Sequence, residues 1–91
     1  MNTELEDNFA ICEKLVTGLK NTPTDEELLE LYSLYKQKKF GDCDVDISSL
    51  SMFDFKGKKK ANAWMTKKGM SRRDACEKYI DYAYNLINKY D

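Results

Sequence analysis

The chain has no histidine, one proline and three cysteines among its 91 residues. Without histidine, and without a Cys-x-x-Cys pair, the usual ligands of a zinc site are missing, so we expect neither a metal nor a cofactor. A nucleophilic cysteine would also lack its usual histidine base. Three cysteines are too few and too odd in number for a disulfide scaffold, which favours a reducing, cytoplasmic setting. Any chemistry must therefore come from carboxylates, lysines and aromatic rings.

Long apolar runs are also missing. No stretch approaches the roughly 18 residues that suggest a membrane helix, and the sequence shows no signal peptide. Valine occurs only twice, whereas Leu, Lys, Glu, Ala and Met are plentiful, and this balance favours helices. Hydrophobic residues make up 42% and charged residues 34% of the chain. These proportions predict one soluble helical domain over residues 1–91.

The net charge is only −1, but the charges are unevenly distributed. Residues 1–35 hold eight acids and two bases, and residues 74–91 hold four acids and two bases. Residues 36–73 instead hold eleven bases and four acids. An anion is therefore expected to bind to the middle of the chain. The alternative is a set of solvated helix faces that balance one another.

Periodic apolar positions predict four helices. A capping box that begins at Thr24 marks the start of the second helix, and Gly41 suits a left-handed cap at its end. Gly69 is expected to cap the third helix, and Ser71–Asp74 resembles a second capping box. The predicted helices cover residues 3–19, 24–40, 57–68 and 72–89.

Residues 41–55 carry four aspartates and three serines, and they show no period. A loop of this length is uncommon in a compact domain unless it has a function. Of the cysteines, Cys12 and Cys76 lie at core-like helical positions, and Cys43 lies in this loop. We expect the loop to be ordered and held in place by its apolar residues, which are Ile47, Leu50, Met52, Phe53 and Phe55.

Tyr32, Tyr35 and Lys36 fall at i, i+3 and i+4, so they share one face of the second helix. Two rings beside an ammonium group are suited to an aromatic ligand that carries phosphate. Tyr35 lies in line with Leu28 and Leu31, so we expect the core to share it. Tyr32 is then the better ligand contact.

Four lysines within five residues open the third helix, where they oppose the helix dipole and indicate a nearby anion. Catalysis is not indicated, because the acids sit mostly at helix starts and in the loop, and no glycine-rich phosphate loop is present. The ligand could be a phosphorylated adenine nucleotide or a nucleic acid. A pI near 5.5 favours the compact ligand. A purely protein-interaction module would leave the tyrosine–lysine face unexplained. The four lysines are Lys56, Lys58, Lys59 and Lys60.

Five separate stretches, in the same order, resemble the signature of the acyl-CoA-binding protein family. This resemblance implies an all-α, four-helix up-down-down-up bundle that binds long-chain fatty acyl-CoA one-to-one without catalysis. It implies a monomeric cytoplasmic carrier and pool buffer, in transient contact with a membrane or with acyl-CoA-using enzymes. The alternative is a small helical nucleotide- or nucleic-acid-binding module. The stretches are Leu31–Gln37, Gly41–Cys43, Asp54–Lys58, Ala63–Trp64 and Ser71–Ile80.

The resemblance also implies roles for the residues of the head-group site. Tyr32 would contact the adenine and the ribose 3′-phosphate, and Tyr35 would lie beside the nucleotide. Lys36 and Lys60 would pair with the 3′-phosphate and neighbouring groups. Lys56 would lie by the CoA head group.

At the other positions of the implied site, this sequence matches the family pattern in some cases and departs from it in others. Tyr79, from the fourth helix, would close the site, while Leu28 and Leu29 would line part of the acyl groove. Thr17 stands where the family often has a lysine that contributes to the head-group site. Ala61 stands where the family commonly has a tryptophan that helps to cover the acyl chain. The loop over residues 43–53 is longer than usual and lacks the family's Pro-Gly turn.

Overall fold

The computed structural model describes residues 2–90, which form four α helices. A short 3-10 turn, Ile47–Ser49, lies between the second and third helices. Residues 2–90 contain no β strand, so the predicted all-α class is confirmed. The helices are α1, Thr3–Thr17; α2, Asp25–Phe40; α3, Phe55–Met65; and α4, Arg72–Tyr90.

The predicted ends of α2 are confirmed. The Thr24 hydroxyl accepts a hydrogen bond from the Glu27 N–H at 3.2 Å, and the Glu27 carboxylate accepts one from the Thr24 N–H at 2.9 Å. Gly41 follows the helix with φ of 79° and ψ of −148°. Because a side chain is strained at this positive φ, glycine suits the position. By contrast, α1 ends at Thr17 rather than at residue 19.

The predicted bounds of α3 are shifted. The helix begins at Phe55 because the Asp54 carboxylate accepts a hydrogen bond from the Gly57 N–H at 2.9 Å and so caps the first turn. It ends at Met65 rather than at residue 68. Tight turns then carry the chain to Gly69, whose φ is 88°. Gly69 thus lies in the connection to α4 and does not cap α3.

The core lies where α4 packs against α1 and α2, and α3 also packs against α2. Cys12 and Cys76 are fully buried, as predicted, and burial raises the pKa of both thiols. Lys38 is only 8% exposed and forms a 2.8 Å ion pair with Glu6, which joins α2 to α1. The buried cluster comprises Phe9, Cys12, Leu31, Leu34, Cys76, Tyr79, Ile80, Ala83 and Leu86.

Glu27 connects the start of α2 to the end of α4. Its carboxylate accepts hydrogen bonds from the Tyr90 hydroxyl and the Thr24 N–H, and it forms a 2.9 Å ion pair with Lys89. These contacts favour the charged carboxylate and lower the pKa of Glu27 to about 2, with the Tyr90 hydrogen bond as the largest cause.

The loop between α2 and α3 is held differently from the prediction. Ile47 and Leu50 are half-buried, but Met52, Phe53 and Phe55 are 68%, 77% and 67% exposed. The expectation that these three hold the loop in place is therefore wrong. Met52 and Phe53 lie in a turn closed by a 2.9 Å hydrogen bond from the Asp54 N–H to the Ser51 carbonyl, and Phe55 is the first residue of α3. Hydrophobicity alone does not require that such residues be buried. Cys43 lies in the loop as predicted.

Candidate functional site

A groove with a volume of about 600 Å³ runs between α2 and α3. We call it the α2–α3 groove. One of its walls comes from α2 and is mainly apolar, with Leu28, Leu29 and Tyr32 beside one acid, Asp25. The other comes from α3 and is mainly basic, with three lysines beside Phe55. An apolar wall that faces a basic wall suits a ligand with an apolar part and an anionic part. The lining residues are Asp25, Leu28, Leu29, Tyr32, Phe55, Lys56, Lys59 and Lys60.

Helical spacing explains why these side chains meet. On α2, the lining positions are i, i+3, i+4 and i+7, starting from Asp25. On α3, the three lining lysines occupy i, i+3 and i+4, starting from Lys56. Neither Asp25 nor Phe55 was predicted from the sequence as a site residue. The same spacing could have found Asp25, whereas Phe55 was misplaced because it was assigned to the loop.

Tyr32 lines the α2–α3 groove and lies close to two lysines. The Lys60 Nζ lies 5.2 Å from the centre of the Tyr32 ring, and the Lys36 Nζ lies 5.8 Å from it. Among residues 2–90, neither lysine forms an ion pair with a carboxylate. Two ammonium groups beside one ring can therefore receive an anion such as a phosphate.

The Tyr32 hydroxyl is a hydrogen-bond donor at neutral pH. Burial raises the pKa of this phenol above its ordinary value, and the nearby Cys43 raises it further. The hydroxyl therefore stays protonated at neutral pH and can donate a hydrogen bond to a phosphate oxygen. Tyr32 thus offers both a ring face for stacking and a polar tip for hydrogen bonding.

Lys36 also lies in a second groove, which has a volume of about 430 Å³. Its ammonium group sits 4.5 Å from the centre of the Phe40 ring and 5.1 Å from that of Trp64. The Trp64 indole N–H donates a 2.8 Å hydrogen bond to the Gly41 carbonyl, which fixes the ring. This groove was not predicted from the sequence, because its residues come from three separate segments. They are Lys36, Phe40, Asp42, Asp44, Val45 and Trp64.

Tyr35 and Tyr79 form a separate aromatic cluster with Phe9. The Tyr35 ring stacks on Phe9 at a centroid distance of 6.0 Å, and Tyr79 lies 4.6 Å from Phe9 and 6.4 Å from Tyr35. Tyr79 is 4% exposed, and burial raises the pKa of its phenol. Tyr35 is half-buried and packs against the core, so its expected sharing with the core is confirmed. Neither residue lines the two grooves described above.

Thr17 and Ala61 offer no charged contact. Thr17 is exposed at the end of α1, and its hydroxyl donates a 2.9 Å hydrogen bond to the Lys14 carbonyl. Ala61 is 4% exposed and lies inside α3, where its carbonyl oxygen is 4.0 Å from the Cys43 sulfur. The position therefore provides no ring to cover a ligand.

The structure thus divides the predicted site residues into groups. Five of them line the α2–α3 groove, and a sixth, Lys36, lines the second groove with its Nζ 5.8 Å from the centre of the Tyr32 ring. Tyr35 and Tyr79 belong to the aromatic cluster, and Thr17 stands at the end of α1. The five groove residues are Leu28, Leu29, Tyr32, Lys56 and Lys60.

Two further features bear on the chemistry. Over residues 2–90, histidine, cysteine and acidic side chains form no group of three that could hold a metal ion. No helix in the described part of the chain has both the length and the apolar character needed to cross a membrane.

A family model described as "Acyl CoA binding protein" matches residues 6–83. Acyl-CoA-binding protein homolog 1 of Caenorhabditis elegans is 45% identical over 75 residues, which cover 82% of this chain and 85% of the relative. Acyl-CoA-binding protein 2 of Saccharomyces pastorianus is 46% identical over 77 residues, which cover 85% of this chain and 86% of the relative.

Solved structures of acyl-CoA-binding proteins are also similar to this chain. The fold superimposes on acyl-CoA-binding protein 2 of Oryza sativa with a TM-score of 0.85 at 28% identity, covering 93% of this chain and 92% of the other. For the acyl coenzyme A binding protein from yeast, the TM-score is 0.69 at 38% identity, covering 99% of this chain and 98% of the other.

Proposed function

The chain belongs to the acyl-CoA-binding protein family, and we propose that it binds long-chain fatty acyl-CoA one-to-one, without catalysis, as a monomeric cytoplasmic carrier and pool buffer. The observation that carries the proposal is the pairing of an apolar wall with a basic wall in the α2–α3 groove. The apolar wall would bury the acyl chain and the lysines would hold the phosphates of CoA.

The head-group contacts are proposed around Tyr32. Its ring would stack on the adenine, and its hydroxyl would donate to the 3′-phosphate. Lys36 and Lys60 would supply the charge, since both ammonium groups lie within 6 Å of the Tyr32 ring centre. Lys56, further along the groove, would meet the remaining phosphates of the head group. Each charge-assisted hydrogen bond of this kind contributes about 1.5–3 kcal/mol.

Tyr35 and Tyr79 remain proposed ligand contacts of a different kind. Since both rings pack with Phe9, they would reach the nucleotide only through their edges or hydroxyls. Thr17 would leave the site one lysine short of the family's usual set. The head group would then depend more heavily on the lysines of α2 and α3.

The acyl chain would lie along Leu28 and Leu29. Leu28 is 38% exposed and Leu29 is half-buried, so both have surface left to cover. Burying each methylene of the ligand contributes about 0.8 kcal/mol. A long chain would therefore add more affinity than any single phosphate contact.

Calorimetric titration tests the proposal. Palmitoyl-CoA is expected to bind one-to-one and far more tightly than free CoA, while a short oligonucleotide binds weakly and loses affinity steeply with salt. Equal affinities for palmitoyl-CoA and CoA would refute the acyl groove. Tight, salt-sensitive binding of the oligonucleotide would instead support the nucleic-acid alternative, which none of the comparisons favours.

A further inference from the structure

The second groove holds a cation of the protein's own, the ammonium group of Lys36. Its Nζ lies 4.5 Å from the centre of the Phe40 ring and 5.1 Å from that of Trp64. The same atom is 5.8 Å from the centre of the Tyr32 ring. A cation within about 6 Å of an aromatic face is attracted to it electrostatically. Lys36 therefore lies closer to the rings of the second groove than to the ring of the α2–α3 groove.

Phe40 and Trp64, which we call the ring pair, form two walls of this place. Their ring centres are 6.1 Å apart, and their planes are tilted by 52°. Trp64 is only 4% exposed and is held through its indole N–H, whereas Phe40 is 59% exposed. One ring is thus fixed in the fold and the other stands at the surface, so a cation can reach the ring pair from solvent.

Two carboxylates, those of Asp42 and Asp44, line the same groove. Asp42 is fixed in place, because its Oδ1 accepts hydrogen bonds from the Gly69 N–H at 2.8 Å and from the Gln37 amide at 2.9 Å. These two bonds lower the pKa of Asp42, so it is charged at neutral pH. Within residues 2–90, neither carboxylate forms an ion pair. Both are available to a cation that enters the groove.

We propose that the second groove binds a small organic cation that carries a guanidinium or primary ammonium group, and that Lys36 competes for the same place. The ring pair would contact the face of the cation, and the carboxylates would accept its N–H groups. A guanidinium group suits both contacts, because it is planar, stacks on aromatic rings and pairs with carboxylates. The groove volume of about 430 Å³ is within the range of small-molecule sites.

A second part of the proposal rests on the proposed function. Lys36 would pair with the 3′-phosphate beside Tyr32, and its four-carbon stem is flexible enough to carry the ammonium group there. Bound CoA would then draw Lys36 away from the ring pair and open the second groove to an outside cation. By thermodynamic linkage, the cation would raise the affinity for CoA by the same factor.

Titration with N-acetylarginine amide, followed by NMR, tests the site without CoA. The chain has one tryptophan, so its spectrum contains one indole N–H signal, which reports on the groove directly. We expect Lys36→Met to bind the probe about tenfold more tightly than the wild type, since a site that is open about a tenth of the time binds about tenfold more weakly. Ionic strength is held constant. An unchanged indole signal in Lys36→Met would overturn the site.

Two further variants separate the ring pair from general charge effects. Lys39→Met removes the same charge one turn further along α2, and Lys39 lines neither groove, so its gain should be under about threefold. Equal gains for Lys36→Met and Lys39→Met would overturn competition by Lys36. Phe40→Leu, added to Lys36→Met, keeps an apolar side chain but removes one aromatic face, and it should abolish most of the gain. Undiminished binding would exclude the ring pair.

A peptide distinguishes a free small molecule from a side chain of another protein. A pentapeptide with arginine between glycines presents the same guanidinium group on a chain. It should bind Lys36→Met within about threefold of the affinity of N-acetylarginine amide, if the groove recognises only the cationic group. Binding of the peptide alone would overturn the assignment to a small cation.

Free CoA tests the shared use of Lys36. Saturating CoA should tighten binding of N-acetylarginine amide to the wild type about tenfold, and should not do so in Lys36→Met, where no ammonium group can be withdrawn. Equal gains in both proteins would show that the charge of CoA attracts the probe, and would overturn the coupling. If CoA does not bind at all, the proposed function fails, whereas the titrations without CoA still decide the second groove.

Discussion

Replacing Lys60 by methionine tests how far the proposed CoA head-group site depends on individual charges. Lys60 lines the α2–α3 groove and places its Nζ 5.2 Å from the centre of the Tyr32 ring. Methionine keeps most of the apolar stem and removes the ammonium group. The matched control is Lys58→Met, because Lys58 lies two residues earlier on α3, is also half-buried and does not line the groove.

The expected loss follows from the position of Lys60. A charge-assisted hydrogen bond contributes about 1.5–3 kcal/mol, and the groove is open to solvent, so the lower half of that range applies. Lys60→Met should therefore weaken palmitoyl-CoA binding by about 1.5–2 kcal/mol, a factor of about 10–30. Lys58→Met should change the affinity by less than about twofold.

A parallel titration with free CoA separates contacts to the head group from contacts to the acyl chain. If Lys60 contacts the phosphates, calorimetry should show the same fold loss for CoA and for palmitoyl-CoA, because the acyl chain is not involved. Equal losses for Lys60→Met and Lys58→Met would show that only the overall positive field matters. A loss confined to palmitoyl-CoA would remove Lys60 from the head group and place it beside the acyl chain.

Two further predictions concern stability. Leu34 is 2% exposed, so Leu34→Ala should lower the free energy of unfolding by about 2–5 kcal/mol. Leu15→Ala, at an exposed position, should lower it by less than about 0.5 kcal/mol. The urea midpoint measures both losses, and equal losses would contradict the assigned core. The folded pKa of Glu27, about 2, lies below the ordinary value of 4.5, so its stabilising contribution is present above about pH 4.5 and is lost as the pH falls towards 2. Glu27→Gln should flatten that part of the urea-midpoint profile, and an unchanged slope would exclude Glu27 as its source.

Most of the fold could be predicted because its signals are local. The capping box at Thr24 and the positive-φ glycine at residue 41 gave both ends of α2. Apolar periodicity found Cys12 and Cys76 in the core. Each of these features depends on residues a few positions apart, and helical geometry fixes how such residues meet.

The positions of the apolar residues after the 3-10 turn could not be predicted from local signals. Hydrophobicity alone placed Met52, Phe53 and Phe55 inside, but a hydrophobic residue is not obliged to be buried. Asp54 caps α3 through the Gly57 N–H, so the helix begins at Phe55 and the residues before it lie in a turn. The sequence shows Asp54 three residues before Gly57, which is a possible helix cap. No local pattern indicated that α3 would begin at this cap.

The sequence by itself determined the helices, the family and the residue types of the site, since motif order and helical spacing are properties of the chain. Only the tertiary structure decided which of these residues share a surface. It set the lysines of α3 against the leucines of α2, and it separated Tyr35 and Tyr79 from Tyr32. The physical reason is that the packing of one helix against another depends on side chains distant in sequence, which no local pattern contains.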